Sequence, residues 1–162
     1  MGIYTKLFIQ FPEIFWDENT QFFLYADPTQ RGYYPVWQSF TAPGFLPDSN
    51  TIFATVVTPE SRRIERQSDE QTQAEMMEVL RQMFPNVTIP DPIAFMYPRW
   101  GETEWAYGSY SNWSTGVGLL EHQNLRAGLR GGKDSNGSAK LWFAVSTETI
   151  HLLFGSVLSS LL

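Results

Sequence analysis

The chain of 162 residues contains no cysteine and only two histidines. The lack of cysteine excludes disulfide bonds, thiolate catalysis and cysteine-ligated zinc. The spacing of the two histidines, His122 and His151, is not that of metal ligands, so we predict no metal site. A chain without cysteine fits a reducing compartment, and we expect a cytoplasmic location, with a peroxisomal or a secreted one as the alternatives.

Positive charge and long apolar runs are also scarce. Lysine and arginine total 11 against 17 aspartates and glutamates, and the formal net charge is −6. The sequence has no basic patch of the kind that binds nucleic acid, and its acidic balance mildly favours cationic ligands. The apolar run at residues 150–162 is shorter than the roughly 20 residues that cross a bilayer. We therefore predict neither a nucleic-acid partner nor a membrane partner.

The distribution of apolar residues predicts an α+β fold. Hydrophobic residues make up 43 % of the chain, which is enough for a sizeable core. Residues 3–11, 21–26, 32–40 and 51–58 are typical of strands, with shorter candidates at 93–97, 105–110 and 141–145. Two helices follow the fourth strand, and Ser68 is the expected N-cap of the second. This order predicts a mixed, largely antiparallel sheet of about five or six strands, with the helices packed on one face.

Lys6 is unusual on physical grounds. In a strand it shares a face with Tyr4, Phe8 and Gln10, and both faces of that strand are partly apolar. A buried ammonium is costly unless it is paired, and lysines held in this way can be catalytic. The alternative is that the side chain reaches solvent at the edge of the sheet.

Aromatic residues cluster between positions 100 and 113. Their faces can hold flat ligands and attract ammonium groups, but they can equally form a core layer or cross-strand pairs. The cluster comprises Trp100, Trp105, Tyr107, Tyr110 and Trp113.

A short glycine motif at Gly116 and Gly118 resembles the start of a dinucleotide-binding fingerprint. Position 121 is Glu where that fingerprint requires a third glycine, and no predicted strand leads into the motif. We therefore interpret the segment as unrelated to a Rossmann unit. No GxSxG elbow occurs either, so a serine hydrolase of that type is not indicated.

Five short blocks of the sequence stand out when they are taken together. They are Tyr4-Thr5-Lys6-Leu7-Phe8, Arg31-Gly32-Tyr33-Tyr34, Glu60-Ser61-Arg62-Arg63-Ile64-Glu65, Pro98-Arg99-Trp100 and Ser111-Asn112-Trp113. In this order they resemble flavin-containing polyamine oxidases of the amine oxidase family, and fungal-type members in particular. The resemblance covers about residues 3–113 and extends, with further likeness, as far as residue 144.

The resemblance implies a function and a set of site residues. Members of this family oxidise amines by hydride transfer to FAD, and oxygen then reoxidises the flavin to give peroxide. By position, Lys6 matches the catalytic lysine that holds a water near the reactive nitrogen of the flavin. Tyr4 and Tyr110 match substrate-binding positions, and Trp100 matches a tryptophan that packs near the flavin ring, so FAD is the implied cofactor.

The resemblance also implies a division of the chain. Residues 1–113 correspond to part of the substrate-binding domain, 114–144 to a degraded link back toward the FAD domain with a loop at 130–139, and 145–162 to an unrelated apolar tail. The glycine fingerprint of the family is absent and the chain begins within a strand, so we expect a truncated oxidase that is inactive alone. The alternatives are a non-catalytic module that binds polyamine or associates with a full-length oxidase, and a non-functional product.

Overall fold

The computed structural model describes residues 1–128 and 141–142, which fall into two compact units. The larger unit is Ile3–Ser109, and the smaller joins Met1–Gly2 to the described part of Tyr110–Leu162. The predicted loop at 130–139 and the apolar tail at 145–162 lie outside the described residues. Within those residues, no helix has both the length and the apolar composition needed to cross a membrane.

The larger unit is built on one antiparallel sheet of five strands in the order β2-β3-β4-β1-β5. Two helices, α1 and α2, lie between β4 and β5 in the chain, and this arrangement confirms the predicted α+β class. No parallel pair occurs among the described strands, so the sheet is antiparallel throughout rather than mixed. The elements are β1 (Tyr4–Gln10), β2 (Phe22–Leu24), β3 (Val36–Ser39), β4 (Thr51–Val57), α1 (Glu60–Glu65), α2 (Asp69–Met83) and β5 (Ala94–Met96).

Strand β1 lies between β4 and β5 and has two different faces. Thr5, Leu7 and Ile9 are fully buried and point toward the core, which includes apolar residues of both helices. The intervening residues, among them Tyr4 and Lys6, are only partly buried and point to the opposite side of the sheet. The helices therefore cover one face of the sheet, as predicted.

Helix α2 forms for the reasons visible in the sequence. The Ser68 hydroxyl accepts a hydrogen bond from the Gln71 amide at 3.2 Å, which satisfies one of the free donors at the N-terminus of the helix. Met76, Val79 and Leu80 form an apolar stripe that is buried against the sheet. Burial of each such side chain contributes about 1.5–3 kcal/mol before the entropy cost of folding is subtracted.

Positive φ angles explain where two predicted strands are wrong or too long. The predicted strand at 105–110 does not form, because Tyr107 has φ of 56° and the backbone there turns instead of extending. Strand β3 begins at Val36 rather than at residue 32, because Gly32 and Tyr34 have φ of 85° and 42°. In both segments an aromatic residue, Tyr34 or Tyr107, therefore lies in a turn and not in a strand.

A hydrogen-bonded ion-pair network connects α1, α2 and the turn before β3. The guanidinium of Arg63 donates two hydrogen bonds to Glu75, at 3.0 and 2.8 Å, and a third to Glu60 at 2.8 Å. The hydroxyl of the buried Tyr34 donates to the same Glu75 carboxylate at 2.9 Å. Burial, followed by the nearby Glu75 charge, raises the pKa of Tyr34. Burial alone would raise the pKa of Glu75, but these hydrogen bonds, with one from Gln67, hold it below its ordinary value.

The lowered pKa of Glu75 predicts acid-sensitive stability. The ionised carboxylate stabilises the fold above the pKa of an unfolded glutamate, about 4.3, and this contribution is lost as pH falls through the lower folded value. Glu75→Gln should lower the free energy of unfolding by about 1.5–3 kcal/mol near neutral pH, and the difference from the unsubstituted chain should shrink in acid. Urea denaturation followed by tryptophan fluorescence measures both.

The matched control is Glu78→Gln on the same helix. Glu78 and Arg81 form an exposed ion pair at 3.5 Å, so this substitution should cost less than about 0.5 kcal/mol. Equal losses in the two variants at neutral pH would contradict the structural role of Glu75.

Candidate functional site

The open face of the sheet, on the side away from α1 and α2, holds Lys6 between two aromatic rings. Its ammonium lies 5.1 Å from the ring centroid of Phe53 and 5.9 Å from that of Tyr4, and both distances permit cation–π attraction. No ion pair to Lys6 occurs in the part of the chain that the structure describes. Lys6 lies in a central strand, so its side chain is partly buried on this face instead of reaching solvent at the sheet edge.

An aromatic floor of Phe8, Phe40 and Phe53 lies on the same open face. The Phe53 ring is 5.2 Å from that of Phe8 and 4.9 Å from that of Phe40, and Phe8 is paired directly opposite Phe53 in the β1–β4 register. Phe40 and Phe53 are not among the site residues predicted from the sequence. The available signal was that Phe53 shares a face of β4 with Thr51 and Thr55. The β1–β4 register is also needed to place that face beside Lys6, because it pairs Lys6 with Thr55.

Trp100 is presented on a turn that α1 holds in place. Arg99 donates hydrogen bonds at 3.1 Å to the backbone carbonyls of Glu65 and Gln67, and the Gly101 amide donates to the Glu65 carboxylate at 2.8 Å. These bonds fix both neighbours of Trp100. Its indole stays 39 % exposed and meets Trp105 edge to face, with centroids 6.4 Å apart.

The segment that follows Trp100 returns to the start of β1. The Gly108 amide donates to the Trp100 carbonyl at 3.2 Å. The hydroxyl of Ser109 then accepts from the Tyr4 amide at 3.1 Å and donates to the Tyr4 carbonyl. Ser109 thus satisfies backbone groups of β1 beyond the end of the short strand β5. As a result, the segment carrying Trp100 is attached to the same strand that carries Tyr4 and Lys6.

The structure brings together three of the four predicted site residues in one unit. Tyr4 and Lys6 share a face of β1, and Trp100 lies on the turn attached to that strand. Tyr110 belongs to the smaller unit, where its carbonyl accepts from the Gly2 amide at 2.9 Å. Its ring covers Gly2 so closely that an added Cβ would lie 2.2 Å from a ring carbon. The roles assigned to these four residues stay predictions.

In the smaller unit, the glycine motif at Gly116 and Gly118 lies at the start of helix α3 (Leu119–Arg126). The carboxylate of Glu121 accepts a hydrogen bond from the Gly118 amide at 2.9 Å. Hydrogen bonds from the backbone amides of Glu121 and Gly118 lower the pKa of this carboxylate. A negative charge therefore occupies the helix N-terminus, where a dinucleotide motif would place its diphosphate. This arrangement agrees with the interpretation that the segment is not a Rossmann motif.

The described residues suit the ring system of FAD but not its diphosphate. The exposed indole of Trp100 provides a flat aromatic surface for a conjugated ring. The ammonium of Lys6 provides a donor for a water or for an electron-rich ring nitrogen. No glycine-rich turn that could hold a diphosphate between a strand and a helix occurs among residues 1–128 and 141–142. Those residues also contain no group of three or more acidic or histidine side chains able to hold a metal ion.

The sequence is similar to a known protein family and to several of its members. Residues 1–144 match the family model described as flavin containing amine oxidoreductase. The chain is 50 % identical over 129 residues to polyamine oxidase 7 of Oryza sativa subsp. japonica, covering 78 % of this chain and 27 % of that protein. It is likewise 50 % identical over 129 residues to polyamine oxidase 1 of Zea mays, covering 78 % of this chain and 25 % of that protein. The particular likeness to fungal-type members stays a prediction.

Two further matches have lower sequence identity to this chain. A protein of Drosophila melanogaster named possible lysine-specific histone demethylase 1 is 29 % identical over 147 residues, which cover 88 % of this chain and 16 % of that protein. A putrescine oxidase solved with bound putrescine has a TM-score of 0.52 at 19 % identity, over 68 % of this chain and 24 % of that one. At this identity the structural match shows the fold alone. The chain spans about a quarter of the length of the polyamine oxidases it matches.

The Ser109 bridge predicts a local change in backbone stability. Ser109→Ala removes both side-chain hydrogen bonds to Tyr4 and leaves a partly buried amide without its acceptor, at a cost of about 1–2 kcal/mol. We expect the Tyr4 amide to exchange its hydrogen roughly tenfold faster, as measured by NMR-detected hydrogen exchange. Ser114→Ala, which alters an exposed hydroxyl in the smaller unit, is the control. An unchanged Tyr4 rate in Ser109→Ala would show that the bridge does not anchor the segment.

Proposed function

The chain belongs to the flavin-containing amine oxidoreductase family, and from this premise we propose that it forms the substrate-binding part of an FAD-dependent oxidase that acts on polyamines. The observation that carries the proposal is the position of Lys6, which lies over Phe53 and beside Tyr4 on the open face of the sheet. FAD and amine substrates are implied by family membership. The narrower choice of polyamines is supported by 50 % identity to two plant proteins named polyamine oxidases.

In this proposal the chain positions groups and FAD supplies the redox chemistry. When bound, FAD would supply a hydride acceptor for the carbon next to the amine nitrogen. The three donors of the Lys6 ammonium hold a water in the site, and the rings of Tyr4 and Phe53 keep that ammonium in place. The exposed indole of Trp100 provides the surface against which the flavin ring packs.

The charge of Lys6 also affects the amine itself. A nearby ammonium lowers the pKa of a second amine, because two like charges at close range disfavour the protonated form. Only the neutral amine has the free electron pair that assists hydride loss from the adjacent carbon. Lys6 therefore favours the reactive form of the substrate nitrogen. The half-buried rings of Phe8 and Phe40 suit the methylene groups of a polyamine, which have no polar atoms to satisfy, while Phe53 lies almost fully buried beneath them.

The open face also supports a partner for this chain. Several large apolar side chains on that side of the sheet remain exposed, including Phe22, Leu24 and Met96. Phe22 and Leu24 lie on β2 and Met96 lies on β5, so exposed apolar side chains occur at both edges of this face, and large apolar side chains left exposed mark an interaction site or a solubility hazard. We propose that the remaining part of a longer oxidase covers this face, since the chain spans only about a quarter of its relatives.

A second candidate function uses the same face without catalysis. If the chain acts alone, the open face could bind a polyamine or associate with a full-length oxidase, because neither role requires a diphosphate site. The boundaries at residues 113 and 144, a cytoplasmic location and the lack of nucleic-acid or membrane partners stay predictions.

For the isolated chain we expect weak FAD binding and no oxidation. The described residues provide contacts for the ring of FAD but none for its diphosphate, so a titration followed by tryptophan fluorescence should not saturate in the micromolar range, about −8 kcal/mol. A peroxide assay with spermine and spermidine should show no release. Saturation at micromolar FAD with peroxide release, both lost in Lys6→Met but retained in Arg62→Met, would show instead that this chain alone holds an oxidase site.

A chimera tests the proposed activity directly. We would replace the matching segment of Zea mays polyamine oxidase 1 with that of this chain. We expect peroxide release that depends on spermine or spermidine. Lys6→Met in the chimera should slow reduction of the flavin by about a hundredfold or more, whereas Arg62→Met, which removes an exposed positive charge on α1, should not. A chimera that retains FAD but oxidises neither polyamine would refute the polyamine proposal.

A further inference from the structure

Glu65 is a buried carboxylate outside the set of site residues predicted from the sequence. It lies at the end of α1 and is only 3 % exposed. One carboxylate oxygen accepts from the Thr5 hydroxyl at 2.8 Å, and the other accepts from the Gly101 amide at 2.8 Å. The two donors are 96 residues apart in the chain and adjoin different parts of the candidate site.

Each of these contacts lies one residue from a predicted site residue. Thr5 separates Tyr4 from Lys6 on β1, and it points into the core while its neighbours point to the open face. Gly101 directly follows Trp100. The Glu65 carboxylate is therefore a direct link between the strand that carries the ammonium and the turn that carries the indole.

The approach of Gly101 to this carboxylate is unusually close. A Cβ added to Gly101 would lie 2.5 Å from the Glu65 oxygen, so any other residue would displace the turn or the carboxylate. The Glu65 backbone carbonyl also accepts from Arg99 at 3.1 Å. The turn is thus held by Glu65 on both sides of Trp100.

A carboxylate suits this position because both partners donate. The Gly101 amide can only donate, and the Thr5 hydroxyl donates to the second oxygen while buried. A buried carboxylate with both oxygens hydrogen-bonded offsets much of its desolvation cost, whereas loss of one donor leaves an unsatisfied charged group. Both oxygens of Glu65 therefore have their hydrogen bonds only while the Thr5 and Gly101 segments stay in place.

We propose that Glu65 is a positioning residue that fixes Trp100 relative to Lys6 through its bonds to Gly101 and Thr5. The meaning of this arrangement for catalysis rests on the proposed function. The geometric coupling itself does not require FAD and can be measured on the chain alone.

The experiment is fluorine NMR on the full chain labelled with 5-fluorotryptophan. Loss of one signal in Trp100→Phe assigns the Trp100 resonance, and the resonance of the fully buried Trp37 serves as an internal reference for the core. We expect Thr5→Val, which keeps the shape of the side chain and removes its hydroxyl, to move the Trp100 resonance by more than its linewidth. Thr5→Ser, which keeps the hydroxyl, should restore it.

Two further variants separate positioning from general loss of stability. Glu65→Asp is too short to hold both donors and should move the Trp100 resonance in the same way. Glu60→Gln alters another buried carboxylate of α1, which bonds to Gln30 and Arg63 instead, and it should leave that resonance in place. If Glu65→Asp does not fold, Thr5→Val and its rescue by Thr5→Ser decide the question.

The proposal is overturned if Trp100 is unmoved in Thr5→Val, or if Glu60→Gln moves it equally. Because no FAD is present, this result is independent of the activity of the chimera. An inactive chimera combined with a Trp100 shift in Thr5→Val would reject the proposed function and leave the coupling intact.

Discussion

The structure of the larger unit depends on the register between β1 and β4. Seven consecutive residue pairs join the two strands, from Tyr4 opposite Val57 to Gln10 opposite Thr51. Since side chains alternate along a strand, this register assigns Leu7 and Ile9 to the core and Lys6 to the open face. A slip by one residue would bury the ammonium in the core and expose the apolar set. Core stability and placement of the candidate site are therefore fixed by the same hydrogen bonds.

A buried carboxylate and a half-buried hydroxyl hold the candidate site from the side of the core. The Glu65 carboxylate and the Ser109 hydroxyl attach the Trp100 segment to β1 near its two ends, and neither uses an exposed surface contact. The network around Glu75 performs a similar task for the two helices and the turn at Tyr34. In both cases an acidic group is stabilised by donors from separate parts of the chain, so its removal affects segments that are distant in sequence. The open face itself is left to aromatic side chains and Lys6.

The sequence allowed the fold class, strand β1 and the N-terminus of α2 to be predicted, because each depends on patterns that are short-range in the chain. Lys6 was identified for the same reason, since its alternation with Tyr4 and Phe8 is visible within one strand. Phe53 was missed because its place beside Lys6 depends on pairing between strands more than 40 residues apart. The strand predicted at 105–110 was wrong for a local reason. The aromatic content of the segment favoured a strand, but that content does not reveal the left-handed backbone conformation at Tyr107.

The short outer strands affect how this sheet can associate with other molecules. Both β2 and β5 are only three residues long, and prolines at positions 90, 92 and 98 flank β5. Short edge strands next to proline offer few unpaired backbone groups to an incoming strand, which is a common protection against cross-β aggregation. The edges of this sheet therefore disfavour extension by another strand, and the broad aromatic side is the larger surface that the sheet offers to another molecule, where recognition would depend on shape and apolar contact.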